Sequence, residues 1–238
     1  MLLASNYFPR SDPYKLMQAH QEWENLHASA NTPEQPIFFL EKKPEKKLRI
    51  GYVSPDFKTH SVSHFFFSLL DSHDRENFEI YCYSKVSKPD HVTEEICQLS
   101  DGWRDIQDKT NMVAAETIRN DGIDILVDLT GHTGNNGLLV FSRRPAPIQV
   151  TWLGYPNTTG LKSMDYRITD AIADPEGKTD PYCSETLLRM PKTFLCYYPP
   201  AQAPAIRKNP PCMHNGYITF GSFNNLAKIN QEVLEFWS

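Results

Sequence analysis

The sequence predicts an α/β fold, a Rossmann-like parallel sheet with helices on both faces, and three observations predict it. From residue 48 onward, short apolar runs alternate with stretches of helical periodicity, the grammar of successive βα units. The runs "IDILVDL" (123–129) and "IQVTWLG" (148–154) are almost continuously apolar, as strands covered on both faces are. The segments that follow such runs, "SPDFKTHS", "TGHTGNNG" and "YPNTTGL", are instead rich in His, Asn, Thr and Gly.

The elements follow in order. Residues 12–28 carry Leu16, Trp23 and Leu26 at near-helical spacing, with Asp12 placed to cap and Pro13 in the first turn, so one amphipathic helix is expected. Residues 29–47 hold prolines and lysines and read as a surface linker. "LRIGYVS" (48–54) is the first strand and "VSHFFFSLLDS" (62–72) a helix. "FEIYCYS" (78–84) is the second strand, and "PDHVTEEICQLS" (89–100) a helix with acids in its first turns. "WRDI" is a short strand, "NMVAAETIRNDG" (111–122) a helix ended by Asp121-Gly122, and 123–129 a buried strand. A helix near 136–143 leads to the strand at 148–154. The stretch 199–216 is proline-dense and reads as a domain linker. After it, "YITFGSFNNLAKINQEVLEFWS" repeats the strand, polar loop and helix pattern, with Asn230 placed to cap the helix. One βα unit cannot bury its own apolar face, so 48–198 is expected to be a complete first domain and 217–238 the opening of a second.

Composition narrows the function. The chain is 40% hydrophobic, 22% charged and 12% aromatic, with a net charge of −5, which suits a soluble globular protein and gives no footing for nucleic acid. The five cysteines, Cys82, Cys97, Cys183, Cys196 and Cys212, are odd in number with no Cys-x-x-Cys spacing. Reduced thiols and a cytoplasmic location are therefore expected. No apolar run reaches the roughly 18 residues of a membrane span, so no membrane partner is expected.

In doubly wound sheets the loops after the strands' carboxyl ends build the site, which directs attention to the three polar segments. Asp56 precedes His60 by four residues; a carboxylate near an imidazole orients it and raises its basicity, which suits proton handling. His64 follows His60 at helical spacing, yet a zinc peptidase needs the glutamate of His-Glu-x-x-His and Ser61 stands there. No metal is expected, and His64 is expected to pack on its helix. Lys228, in a polar turn ahead of a helix, suits a cation that meets phosphate. A nicotinamide-binding Rossmann domain is disfavoured, since "GYVSPDFKTH" lacks Gly-x-Gly-x-x-Gly after the first strand.

Long ordered blocks resemble one family. "LRIGYVSPDFKTHSVSHF", "DILVDLTGHTGNN", "RRPAPIQVTWLGYPNTTG", "MDYRITDAIADP" and "YITFGSFNNLAKI" are similar to segments of the O-GlcNAc transferase / SPINDLY family of protein O-glycosyltransferases. "THSVS", "GHTGNN" and "YPNTTGL" look more like its SPINDLY branch. "NYFPRSDPYKLMQAHQEW" looks like the segment that joins the family's tetratricopeptide array to its catalytic region.

The resemblance implies two Rossmann-like lobes with a donor cleft between them, the GT-B arrangement. Residues 1–47 would be a helical linker after an absent repeat array, 48–198 the N-terminal catalytic lobe, 199–216 the linker, and 217–238 the start of a truncated nucleotide-binding lobe. It implies inverting, metal-independent transfer of N-acetylglucosamine from UDP-GlcNAc to serine or threonine of intracellular proteins, or of fucose from GDP-fucose. The partners would be a nucleotide sugar, an acceptor protein, and the missing lobe and repeats. The other possibility is a protein-binding lobe inactive by itself. By the same comparison His60 lies at the donor sugar and acceptor with Asp56 in support, and Lys228 contacts the diphosphate. Asn225 takes a base- or phosphate-side position, usually glutamine in the animal enzymes. Leu153, Gly154, Tyr155 and Pro156 line the sugar pocket partly through backbone, and His132 stands where many relatives have tyrosine.

Overall fold

The computed structural model describes residues 2–8, 11–31, 46–199, 203–206 and 208–238. Seven strands form one sheet: β1 (Leu48–Ser54), β2 (Phe78–Ser84), β3 (Gly102–Asp105), β4 (Ile125–Asp128), β5 (Ile148–Thr151), β6 (Tyr166–Asp170) and β7 (Thr186–Met190). Their order is β3-β2-β1-β4-β5-β6-β7 and every adjacent pair is parallel. The chain winds outward from β1 in one direction and from β4 in the other. The border between β1 and β4 is thus a topological switch point, where the loops leaving two neighbouring strands diverge and open a crevice.

Strand alternation explains the two-sided core. Val53, Tyr83 and Leu126 face one side, where they meet Ala114, Ala115 and Ile118 of helix α5 (Asn111–Asn120) and Phe141 of α6 (Leu138–Phe141). Tyr52, Cys82 and Val127 face the other, against Phe66 and Leu70 of α3 (Ser61–Asp71) and Ile96 of α4 (His91–Leu99). Each large apolar side chain so buried stabilises the fold by roughly 1.5–3 kcal/mol. Helix starts are written in side chains: Asp90 and Thr93 form a reciprocal capping box at α4, and Thr110 caps α5 through the Val113 N–H. No helix among the described residues is long and apolar enough to cross a membrane.

Several expectations need correction. The helix expected near 136–143 is the single turn of α6, and the strand expected at 148–154 ends at Thr151. β6 and β7 had no strand assignment from pattern alone, because "YRITD" and "TLLRM" are short and broken by charge; pairing with β5 and with each other makes them strands. Residues 217–223 form no strand, since none pairs with them among the described residues, and Phe220 and Phe223 are exposed. The helix after them is present as α8 (Gln231–Trp237), capped by Asn230. The linker expected at 29–47 lies mostly outside the described residues. Of the linker at 199–216, residues 200–202 and 207 lie outside them, and the rest contains the helical turn α7 (Cys212–Asn215).

The N-terminal segment is more than a connection. A short turn, α1 (Leu2–Ser5), precedes α2 (Pro13–His27), whose start is capped by Asp12 with Pro13 in its first turn, as expected. The buried face of α2 differs from expectation. Leu26 is 70% exposed, whereas His20 and Glu24 are buried, with Trp23 packed into the core beside α5 and α6. A helix turns polar groups inward only where partners receive them, and α2 lies against polar loops.

Candidate functional site

The first wall of the crevice is the turn after β1. Ser54 Oγ accepts the Asp56 N–H at 2.9 Å, and Ser63 Oγ donates to the Lys58 carbonyl at 2.6 Å, so the turn is tied at both ends. The Thr59 N–H reaches across to Asp90 at 2.8 Å, which fixes the turn to the start of α4. His60 then caps α3: its Nδ1 accepts the Val62 N–H at 3.3 Å. Asp56 Oδ2 stands 3.7 Å from that nitrogen, an ion-pair distance and too long for a hydrogen bond. Partial burial raises the Asp56 carboxyl above its ordinary range, with His60 and Lys58 pulling it back. Nδ1 thus serves a backbone cap and makes no hydrogen bond to Asp56, because a helix start offers its own donors to any acceptor at its N-terminus.

The second wall comes from β4 and β5. Asp128, fully buried at the end of β4, accepts hydrogen bonds from the Thr130 and Gly131 N–H groups and from Thr151 Oγ1. Burial lifts its carboxyl to about 6 against those three donors. This staple holds the 129–137 loop beside the end of β5. There the chain makes a tight reversal: Leu153 has φ +76, and the Gly154 N–H returns to the Trp152 carbonyl at 3.0 Å. A Cβ on Gly154 would stand 1.9 Å from the Leu129 carbonyl oxygen, so only glycine allows this approach. The reversal turns the backbone of 153–156 toward the crevice.

Arg167 on β6 supports that backbone from beneath. Its guanidinium donates to the Pro156 carbonyl at 3.3 Å and pairs with Asp174 at 3.1 Å, both side chains being largely buried. His132 points away from the crevice. Its Nε2 lies 2.6 Å from the Thr159 carbonyl, and its ring packs edge-on against Trp23 behind Tyr155. Burial pushes it down to about 4, so it is neutral at pH 7.

The crevice is a cleft of about 430 Å³. It brings together six of the nine expected site residues: His60, Leu153, Gly154, Tyr155, Pro156 and Lys228. Asp56 stands behind His60. Two are not brought in: His132 packs behind Tyr155, and Asn225 turns back to cap Leu226–Lys228 by accepting the Ala227 N–H. His64 is exposed and lines a separate groove with His91 and Glu95, on the other side of His60. Among the described residues no group of three or more His, Cys, Asp or Glu side chains is placed to hold a metal ion.

The cleft also holds residues that sequence reasoning missed, namely Leu3, Tyr7, Arg167 and Phe194. Arg167 had a signal: an arginine inside "YRITD" must find a carboxylate if the strand is buried, and Asp174 follows seven residues on. Leu3, Tyr7 and Phe194 had none, since they arrive from segments distant in sequence. Among the described residues, the side chains of the lining that can carry positive charge are His60, Arg167 and Lys228, and no carboxylate lines the cleft.

Comparison with known proteins identifies the family and supports the fold. A model of glycosyl transferase family 41 matches residues 28–198. A protein of Oryza sativa subsp. japonica, named a probable UDP-N-acetylglucosamine–peptide N-acetylglucosaminyltransferase SPINDLY, is 46% identical over 241 residues, covering 100% of this chain and 26% of that protein. The UDP-N-acetylglucosamine–peptide N-acetylglucosaminyltransferase of Caenorhabditis elegans is 42% identical over 152 residues, 63% of this chain and 13% of that protein. Among solved structures, a mutant of the Thermobaculum terrenum O-GlcNAc transferase superposes with a TM-score of 0.92 at 38% identity, covering 99% of this chain and 44% of that one. The chain thus spans about a quarter of the length of the SPINDLY relatives it matches.

Proposed function

Because the chain belongs to glycosyl transferase family 41, we propose that it is part of a protein O-glycosyltransferase carrying N-acetylglucosamine from UDP-GlcNAc to serine or threonine. The observation that carries this reading is the cleft at the β1/β4 switch point, basic throughout its charged lining and floored by the 153–156 backbone. The names of the rice and worm relatives favour UDP-GlcNAc as donor.

The chemistry follows from what transfer needs. The acceptor hydroxyl attacks the anomeric carbon, the bond to the diphosphate breaks, and the hydroxyl proton leaves. Two negative phosphates develop further charge as they depart, and preorganised cations stabilise it. Lys228 takes that role. The backbone of Leu153 to Pro156 orients the sugar, because Gly154 and the γ-turn at Leu153 leave its polar groups free of a strand ladder. His60 is placed beside the acceptor. With Nδ1 accepting from Val62, Nε2 carries the proton and donates a hydrogen bond. When Nδ1 instead holds the proton and faces Asp56, Nε2 can take one from the acceptor.

In this reading residues 48–198 are the first lobe and 217–238 begin the second, to which Lys228 belongs. The site of action is the cytoplasm, as the thiol pattern suggests. The test is incubation of the full-length protein and an acceptor lysate with labelled UDP-GlcNAc and, separately, labelled GDP-fucose. Incorporation from UDP-GlcNAc supports the reading. Incorporation from GDP-fucose alone replaces the donor, and incorporation from neither overturns the enzyme.

A further inference from the structure

The polar face of α2 is aimed at one loop. His20 is fully buried, with Nδ1 2.6 Å from the Leu16 carbonyl and Nε2 2.7 Å from the Tyr155 hydroxyl. A carbonyl can only accept, so Nδ1 carries the hydrogen and Nε2 keeps a lone pair. The Tyr155 hydroxyl donates to that lone pair and accepts from Asn6 Nδ2 at 3.0 Å. Both of its capacities are therefore used behind the loop, while the residue itself lines the cleft.

Three further contacts run the same way. Asn157 Nδ2 donates to Asn6 Oδ1 at 2.9 Å, and the Lys162 N–H donates to buried Glu24 at 2.7 Å. Gly160 has φ +75, and a Cβ there would stand 2.6 Å from the His20 carbonyl carbon, so the two backbones are pressed together. From Tyr155 to Lys162 the loop is fastened to the N-terminal helices at four points.

We propose that His20 is a positioning residue: by accepting from Tyr155 it sets where the 153–156 backbone lies in the cleft, and α2 is thereby a working part of the site. This rests on the function proposed above. His20 does not line the cleft, so its effect reaches substrate only through Tyr155. An aliphatic residue in its place strands a buried phenol hydroxyl, and the loop shifts to hydrate it. An imidazole also suits the role electrically. Burial lowers its proton affinity against the pull of Glu185, with His132 and Tyr155 its other close titratable neighbours, so the lone pair is present at neutral pH.

The test uses the full-length protein with His20→Leu, His20→Gln, Tyr155→Phe and the His20→Leu/Tyr155→Phe pair. Turnover with UDP-GlcNAc is measured alongside hydrogen exchange of the 152–162 peptide by mass spectrometry. His20→Leu and Tyr155→Phe should each lower kcat by about tenfold and speed exchange in that peptide. The pair should fall no further than either single variant, since both remove one interaction. His20→Gln, whose amide oxygen can accept from the phenol, should recover most of both readouts. Wild-type kcat and exchange in both His20→Leu and Tyr155→Phe would overturn the proposal. So would additive losses in the pair, or a failure of Gln to rescue. If His20→Leu unfolds throughout, Tyr155→Phe, which removes only a hydroxyl, decides by the same readouts. Should the wild type transfer neither sugar, the exchange contrast still tests the positioning, and only the assigned activity fails.

Discussion

Asp56 and His60 face each other without a hydrogen bond: Oδ2 of one lies 3.7 Å from Nδ1 of the other, while the Val62 N–H occupies that nitrogen at 3.3 Å. The imidazole therefore rests as a helix cap and must give up that cap to turn Nδ1–H toward Asp56. His60→Ala and Lys228→Ala should each lower transfer more than about tenfold in the full-length protein. Lys228→Ala should barely move the melting temperature because its side chain is exposed, whereas His60→Ala should lower it by a few degrees through loss of the α3 cap. Asp56→Asn should lower kcat by roughly fivefold at constant KM, the pattern of a group that matters only in the transition state. Steady-state kinetics with labelled donor check all three. Wild-type turnover in His60→Ala or Lys228→Ala removes that residue from the site.

Gly154→Ala addresses the backbone rather than a side chain. With Leu129 O 1.9 Å from where the Cβ would sit, the loop must move off the end of β4. A destabilisation of about 3 kcal/mol is expected, in the range of severe backbone or packing substitutions, together with loss of transfer. Urea denaturation measures the first and the donor assay the second. Stability equal to wild type would mean the reversal at Leu153 opens at little cost.

Arg167 and Asp174 form a pair whose halves should behave differently alone and together. Arg167→Leu leaves Asp174 buried without its cation, which costs about 3–5 kcal/mol. The Arg167→Met/Asp174→Leu double variant should regain most of that loss, yet transfer should stay low because the Pro156 carbonyl has lost its donor. A double variant with full activity would limit Arg167 to a structural role.

Two buried groups make stability depend on pH in opposite senses. His132 titrates at about 4 in the folded chain against an ordinary 6.5. Between those values the unfolded state binds the proton and the folded state does not, so stability falls as pH drops from 6.5 to 4. Asp128 titrates at about 6 against 3.8; here the folded state holds the proton, and stability falls as pH rises from about 4 to 6. Each effect is roughly 3 kcal/mol at about 1.4 kcal/mol per pH unit. His132→Gln should flatten the acid limb of a denaturation series, and Asp128→Asn should steepen its rise between pH 4 and 6.

Much of the first lobe was legible because its signals are local. The bounds of β1 and β2 match the predicted runs residue for residue, since parallel strands covered on both faces are apolar over most of their length; the charges they carry, Arg49 and Glu79, lie near their starts and pair with each other. Asp12 and Asn230 cap helices as their places in the sequence predict, because a short acceptor before a helical run satisfies the N–H groups that follow it. The cleft loops stood out by contrast with the strands feeding them. The 217–223 segment shows the limit of the same reasoning: alternating apolar residues make a strand only where a neighbour pairs with them, and none does among the described residues. Leu26 shows it again, apolar by type yet exposed because α2 docks through polar groups.

By itself the sequence determined the succession of strands and helices from β1 to β5, the polar loops at the strand ends, and the family its long blocks resemble. Those depend on periodicity, capping and turn chemistry within a few residues of each position. Only the tertiary structure decided that β1 and β4 adjoin, that Lys228 meets His60 in one cleft, and that His132 turns back behind Tyr155. It alone buried His20 on α2, whose partner Tyr155 lies 135 residues away. A polar side chain goes inside only where a distant chain segment supplies its hydrogen bond, and no local pattern encodes where that segment will fold.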